Sequence, residues 1–348
     1  MIKIIYKRVI ELFFLFLYGE IRIFKNFKNE IKIKKLYINS LKFRDLYIIT
    51  KGQVFTDCIT NVAYIQNNKI IPKISYQQKN DIIAPVKFNS TLLHGTPKFK
   101  KHFKGKVFSL VQGASGSNYW HWLYDVVPKI EILHKNNFLN KISFFYLPDI
   151  NNFILDVLKC YGITENQLIN SKKFKHITAD ELFVFEHLYI LKGTFNKGFE
   201  KIPKWIVTFL KLKFTSLKKK FNTSNKIFID RSDSKFLHFQ IKNNDQIKKY
   251  LETKGFKSYQ LSQLSFFEQI YLFNNSNIII GPHGAGFANL VFCKKRTKIF
   301  EILTKSDSNR NVYKILSKYL KLNYRKIIIK DNSHFNIYVN LDIIKNLF

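Results

Sequence analysis

Apolar and polar positions follow two rhythms along this chain. Over residues 1–50, apolar pieces are broken by lysine-rich ones, and Glu11–Ile23 carries an apolar stripe at helical spacing. Such a stripe suits a helix packed on the core, or an amphipathic helix lying on a membrane surface with lysines at its rim. Lys51–Pro85 reads as short strands, with Val62–Ile65 running into a turn at Gln66–Lys69. Gly105–Val111 is apolar and β-rich, which predicts a buried strand. A helix is predicted from Tyr119 to about His134, with Asn118 as its cap and Pro128 ending or kinking it after Val127. Ile142–Leu147 reads as a strand, and Ile154–Tyr161 as a helix stopped by Gly162. Lys201–Phe221 is basic and amphipathic.

From residue 226 the rhythm is regular. Strands are predicted at Lys226–Ile229, Phe256–Leu261, Asn277–Ile280 and Lys298–Leu303. Between and after them come helices at Asn244–Lys254, at Ser265–Asn274 (with a Ser265/Glu268 capping box), a short one ending at Phe292, and Asn311–Leu320. Strict alternation of this kind predicts a parallel sheet covered by helices on both faces. The expected organisation is therefore α/β, with an N-terminal lobe over 1–204, a linking helix over 205–225 and a C-terminal lobe over 226–348.

Composition changes the picture in one respect. The chain has 348 residues, 46% hydrophobic and 24% charged, a globular balance that excludes long disorder. Lys+Arg 58 against Asp+Glu 24 gives +34, which raises nucleic acid or an anionic membrane as partners. Yet only seven of the 58 are arginines, the residue suited to gripping phosphates in fixed geometry, and the lysines are dispersed. Nucleic acid is therefore not the expected partner. Three cysteines without a CxxC pair argue against a disulfide framework or a cysteine-built zinc site and fit a reducing cytoplasm. The apolar run Leu12–Tyr18 is far short of the ~20 residues that cross a bilayer, and no small-residue cleavage site follows it.

In a chain poor in Gly, Pro, Ala, Arg and Trp, clusters of these residues mark places where backbone geometry or chemistry requires them. One cluster runs from Gly113 to Trp122 and holds two of the three tryptophans. On the helix that follows, His121 and Asp125 are four apart and share a face, as a tuned general base requires. No third ligand stands at helical spacing, so a metal site is not expected. Trp120 and Trp122 offer either stacking faces for a sugar or core packing. The second cluster, Gly281-Pro282-His283-Gly284-Ala285-Gly286, lies between a strand and a helix. Its small residues and helix N-terminus suit a diphosphate, with His283 donating a hydrogen bond; a plain tight turn is the alternative. Arg231, just past a buried strand, reads as a phosphate ligand or as a partner of Asp233. Glu301 reads as an acceptor for a ribose hydroxyl or as a partner of Arg296. No Asp-x-Asp occurs in the chain, so helix N-termini and cations would have to neutralise a leaving diphosphate.

Together these motifs resemble the glycosyltransferase 61 family. Asn118-Tyr119-Trp120-His121-Trp122-Leu123-x-Asp125-x-x-Pro128 is similar to its N-terminal signature. Gly281-Pro282-His283-Gly284-Ala285-Gly286-x-x-Asn289-Leu290-x-Phe292, then Ile299-Phe300-Glu301-Ile302, is similar to its C-terminal one. Ile229-Asp230-Arg231-Ser232, Gly255-Phe256 and Leu264-Ser265-Phe266-x-Glu268-Gln269 fall between them in the family's order. The resemblance spans about 105–305. It implies a GT-B-like fold of two Rossmann-like lobes facing a central cleft, and an inverting glycosyltransferase that needs no metal or other cofactor. Its donor would be a nucleotide sugar, expected to be UDP-linked, and its acceptor a glycan or lipid-linked sugar in bacterial surface or capsular polysaccharide synthesis. By the resemblance, Arg231, His283, Gly284, Ala285 and Gly286 line the donor site with Gln269 and Glu301 nearby. His121 and Asp125 serve transfer, and Asn118, Trp120 and Trp122 the acceptor. Phe239-Gln240-Ile241-Lys242-Asn243 keeps the family's Ile and Asn there but lacks its arginines. The expected location is the cytoplasm, with peripheral contact to the anionic inner membrane face. The competing readings are a basic nucleic-acid-binding protein and an inactive scaffold that binds sugar nucleotides.

Overall fold

The computed structural model describes the whole chain except residues 1, 40–41, 59, 80–81, 113–117, 190–193, 235–237, 331–332 and 334. The glycine-rich start of the first cluster, 113–117, thus lies outside the described residues. Two compact units divide at 201/202: Met1–Lys201 and Ile202–Phe348. Each mixes helices with one sheet, so the α/β class holds. The segment expected as a linking helix is helical over Lys204–Phe214, and its apolar side, including Ile206, Leu210 and Phe214, is buried in the second unit.

The first unit is built on a mixed sheet. Strand His176–Phe185 is its pivot: it runs antiparallel to Lys42–Thr50 and Gln53–Thr56 and parallel to Lys101–Ser109. Beyond Lys101–Ser109 lie Phe144–Leu147 and Leu168–Asn170, both parallel. These three strands are joined by helical crossovers, the pattern expected of a Rossmann-like step. The remainder is antiparallel apart from the short parallel pair Arg22–Ile23 with Lys69–Ile70, and includes the hairpin of Lys32–Asn39 with Lys42–Thr50, which the lysine-rich sequence did not reveal. Val62, Tyr64, Val107, Tyr146, Ile177 and Leu182 form the main core of this unit.

The N-terminal helix spans Ile2–Tyr18, earlier than the predicted Glu11–Ile23. Lys7 and Arg8 belong to the solvent face of the same helix, and it stops at Gly19, whose φ of +76 lies in the left-handed region. It is anchored by Phe14, which meets Phe99 edge-on, and by Glu11, 3.2 Å from His94 Nδ1.

Helix Tyr119–His121 continues through a π-helical turn, Trp122–Val126, into Val127–Lys135. Pro128 does not end this helix, which was one of the two predicted outcomes; the regular winding is instead interrupted just before it. Proline has no N–H to give the preceding turn, and its ring crowds the carbonyl four residues back. The wide turn absorbs that conflict: Val127 N–H bonds Trp122 O, five residues back.

The second unit follows the predicted alternation closely. Its five parallel strands lie in the order Lys257–Tyr259, Lys226–Ile229, Ile278–Pro282, Lys298–Thr304, Asn323–Ile329. In chain order this is 2-1-3-4-5. The switch point falls between Lys226–Ile229 and Ile278–Pro282, where an open α/β sheet leaves a crevice at the strands' carboxyl ends. The Ser265/Glu268 capping box forms as predicted. The last strand, Asn323–Ile329, is polar in its first half and apolar in its second, and was not predicted.

His176 sets a pH limit on the first unit. It is fully buried between Lys98 O at 3.2 Å and Gln53 Oε1 at 3.3 Å, and burial pushes its pKa down to about 4. The unfolded chain takes up this proton near the ordinary value of about 6.5. Stability therefore falls as pH drops from about 6.5 to about 4, by up to ~3 kcal/mol at 1.36 kcal/mol per pKa unit. Urea midpoints at pH 7 and pH 5 should differ more in the wild type than in His176→Gln; equal differences would remove His176 from the account.

Candidate functional site

Two histidine–carboxylate pairs stand out, one in each unit. In the first unit Asn118 caps the helix, its side chain accepting from Trp120 N at 2.9 Å. One turn in, His121 Nδ1 meets Asp125 Oδ2 at 2.7 Å. With the carboxylate as acceptor, Nδ1 carries the hydrogen, and Nε2 keeps its lone pair. The His121 side chain is 15% exposed and that of Asp125 only 1%. Tyr189 O–H donates to the other oxygen, Oδ1, and His187 Nε2 lies 3.6 Å from Oδ2. Burial alone would raise the pKa of Asp125. The charges and hydrogen bonds of His187 and His121 outweigh it and hold the carboxyl well below the usual range. Burial keeps the pKa of His187 low despite Asp125. Asp125 is thus a fixed negative charge, and His121 is the member of the pair that reaches solvent.

The two tryptophans are placed otherwise than a sugar-stacking role requires. Trp122 is fully buried, and Trp120 is nearly so, its ring stacked on Tyr124 at 4.1 Å. Both belong to the core because the helix carries apolar residues on most of its circumference.

In the second unit the site forms at the switch point. Asp230 fixes the loop after the first strand: it accepts from Ser232 N at 2.9 Å and Asn244 Nδ2 at 3.1 Å and pairs with Lys248 at 2.6 Å. Arg231 follows. Its Nη2 donates to Ser234 Oγ (3.3 Å) and His238 O (3.2 Å), and Nε is buried with no hydrogen-bond partner among the described residues. The partner is therefore not Asp233. Burial lowers the pKa of its guanidinium, partly offset by Tyr313 and Asp233. The guanidinium lies directly on Gly284: a Cβ built there would come within 1.7 Å of Nη1. Gly284 is extended, so the glycine is needed for this approach rather than for its backbone angles.

His283 leaves the strand Ile278–Pro282 with its N–H on Ile302 O at 2.9 Å. Its Nδ1 bonds Glu301 Oε1, and Tyr324 O–H bonds the second oxygen, Oε2. Both carboxylate oxygens are engaged, so Glu301 orients His283 rather than standing ready for a ribose; Arg296 is not its partner. Tyr313 O–H donates to Gly284 O at 2.7 Å, bracing the loop. Ala285 and Gly286 open a 3-10 helix, Ala285–Phe292, whose first N–H groups face the switch point's end of the sheet. Gln269 is not a site group in this arrangement. It is buried, donates to Leu261 O and Leu264 O, and accepts from Asn289 Nδ2, which braces the loop from behind.

The segment 239–243 acts structurally. Ile241 joins the core, and Asn243 bonds the backbone of Val339 through both ends of its amide. No group of three or more His, Cys, Asp or Glu able to hold a metal occurs among the described residues.

Sequence reasoning missed His187, Tyr189, Lys129, Tyr313 and Tyr324. Lys129 had a signal, since His121, Asp125 and Lys129 recur every four residues. The tyrosines are lost among eighteen in the chain.

The glycosyltransferase 61 family model matches residues 119–300, just over half of the chain, from the helix that bears His121 into the strand that bears Glu301. No curated protein matches the chain.

Removing the Tyr324 hydroxyl leaves a buried oxygen of Glu301 without a donor. Tyr324→Phe should cost about 1–3 kcal/mol in urea unfolding. An unchanged midpoint would show that water or another group serves that oxygen.

Proposed function

The chain belongs to the glycosyltransferase 61 family and is a glycosyltransferase, and we propose that it is an inverting, metal-independent enzyme acting on a nucleotide-diphosphate sugar, with UDP the expected nucleotide. The observation that carries this reading is the Arg231 guanidinium laid on Gly284 beside His283, at the switch point of a parallel sheet. A fixed cation with spare donors, small residues and a helix start suit a diphosphate. The two units are read as the lobes of a GT-B-type fold.

On this reading the two histidines serve the two halves of the transfer. An acceptor hydroxyl gives its proton to His121 Nε2 as its oxygen attacks the anomeric carbon. Asp125 holds the other ring nitrogen and stabilises the imidazolium that forms. The bond to the diphosphate breaks on the opposite face, inverting the centre. The departing negative charge is met by Arg231, the loop N–H groups and His283, which Glu301 keeps oriented. Asp125 is too buried and too acidic to be the base itself.

The acceptor is read as a glycan or lipid-linked sugar, and the working place as the cytoplasmic membrane face. Supporting this, helix Ile2–Tyr18 leaves Ile4, Val9, Leu12, Phe13 and Phe16 exposed, Phe16 at 92%, beside Lys7 and Arg8. No helix among the described residues is long and apolar enough to cross a membrane. An apolar stripe with basic neighbours suits an anionic bilayer surface.

A thermal-shift panel of nucleoside diphosphates and nucleotide sugars, with magnesium or EDTA, tests the donor site. One base class should raise the melting temperature equally in both conditions; no shift with any of them would overturn the reading. His283→Ala and Gly284→Ala should lose the shift, the first by removing the imidazole and the second because its added methyl displaces the Arg231 guanidinium; their melting curves without nucleotide check that each folds. His121→Ala should keep the shift and lower kcat by roughly 10²–10⁴.

Vesicle flotation tests the membrane contact. The wild type should float with anionic vesicles and not with neutral ones, and Phe13→Ser/Phe16→Ser should stay in solution. Equal partitioning of both proteins would rule out this helix as the anchor.

A further inference from the structure

Behind the His121–Asp125 pair, within the first unit, lies a cavity of about 460 Å³, in the size range of small-molecule sites. Lys129, one turn beyond Asp125, lines it and is 4% exposed. Its ammonium donates to Gln112 Oε1, and no carboxylate lies within 4 Å of it among the described residues. An ammonium has three hydrogens to donate, and burying one with a single neutral acceptor is unfavourable unless something else completes it. The walls include Tyr64, Tyr76 and Phe185, the aromatic surface that Trp120 and Trp122 do not provide. Glu186 and His187 form the wall towards Asp125, and His187 touches both the cavity and the Asp125 carboxylate.

We propose that this cavity is the pocket for an acidic sugar of the acceptor, a ring carrying a carboxylate or a phosphate that sits on Lys129 and Gln112. The assignment to the acceptor rests on the glycosyl-transfer reading; the binding of an acidic sugar does not. The aromatic walls take the apolar faces of the ring, and Glu186 offers acceptors to its hydroxyls. Through His187 the occupied pocket abuts the carboxylate that orients His121, so acceptor binding and proton removal share a wall.

Burial lowers the pKa of Lys129 to about 8, partly offset by Asp125 and Glu186. The groups facing it are Asp125 on its own helix, Glu186 and His187 after strand His176–Phe185, and Lys73, Tyr76 and Tyr64 across the cavity. Oxyanion binding should therefore weaken as pH rises through about 8 and the ammonium loses its proton.

The test is calorimetric titration of the full chain, without donor, with glucuronate, galacturonate, glucose 1-phosphate, glucose and inorganic phosphate. At least one acidic sugar should bind, glucose should not, and the affinity should drop tenfold or more in Lys129→Met and at pH 9.5. Binding of carboxylates alone, or of the phosphate ester alone, supports the proposal and names the acid. Inorganic phosphate binding as well as the best sugar would overturn the sugar assignment. No binding, or binding unchanged in Lys129→Met, would overturn the pocket. Lys129→Met removes a buried charge at similar volume, and its melting curve checks folding; Gln112→Leu, which keeps the charge, should also weaken binding. A nucleotide shift in the wild type without acidic-sugar binding defeats only the pocket. Acidic-sugar binding without any nucleotide shift defeats glycosyl transfer and leaves the pocket standing.

Discussion

A buried carboxylate bonded to the Nδ1 of a histidine is the constraint around which each unit is organised. A carboxylate withdrawn from water is tolerated only when its oxygens are supplied with donors. The two units meet that demand with the same set of groups. Asp125 has His121, Tyr189 and the nearby His187; Glu301 has His283 and Tyr324. His121 is a neighbour of Asp125 on one helix, but the other donors come from separate elements of the chain, so the fold must bring them together before either charge can be buried. Strand His176–Phe185 leads the chain to His187 and Tyr189, and strand Asn323–Ile329 delivers Tyr324.

The same constraint sorts the roles of the site residues. Each carboxylate is spent on its histidine, which leaves the outer ring nitrogen as the chemically available atom. On the proposed reading, His121 serves as a base with a fixed counter-charge, and His283 as a donor-side group at the end of its strand. Arg231 differs: its guanidinium is positioned by packing on a bare α-carbon, with Tyr313 holding the loop below.

How much of this was legible in the sequence depended on distance along the chain. Features made by neighbours were readable: the Asn118 cap, the Ser265/Glu268 box, the His121–Asp125 spacing and the βα rhythm after residue 226. Features made by partners far apart were not. Glu301 read as a ribose acceptor because nothing in its surroundings along the chain announces Tyr324 or His283 as its donors. Trp120 and Trp122 looked like a platform because rarity marks importance without telling core from surface. The hairpin Lys32–Thr50 was hidden because lysines on its open face interrupt the apolar pattern.

The wide turn at Trp122–Val126 has a consequence for how this protein can vary. It fixes the phase between the two ends of one helix, with His121 before the turn and Lys129 beyond it. The turn closes over five residues where an ordinary one closes over four, so it holds one residue more than the helix needs. Deleting one residue there would restore ordinary winding and keep the downstream face in phase, at the cost of bringing the Pro128 ring back against the preceding turn. The same deletion within Val127–Lys135, where no residue is spare, would swing everything beyond it by about 100° and turn its buried face outward. The helix thus has one place where its length can change without separating His121 from Lys129.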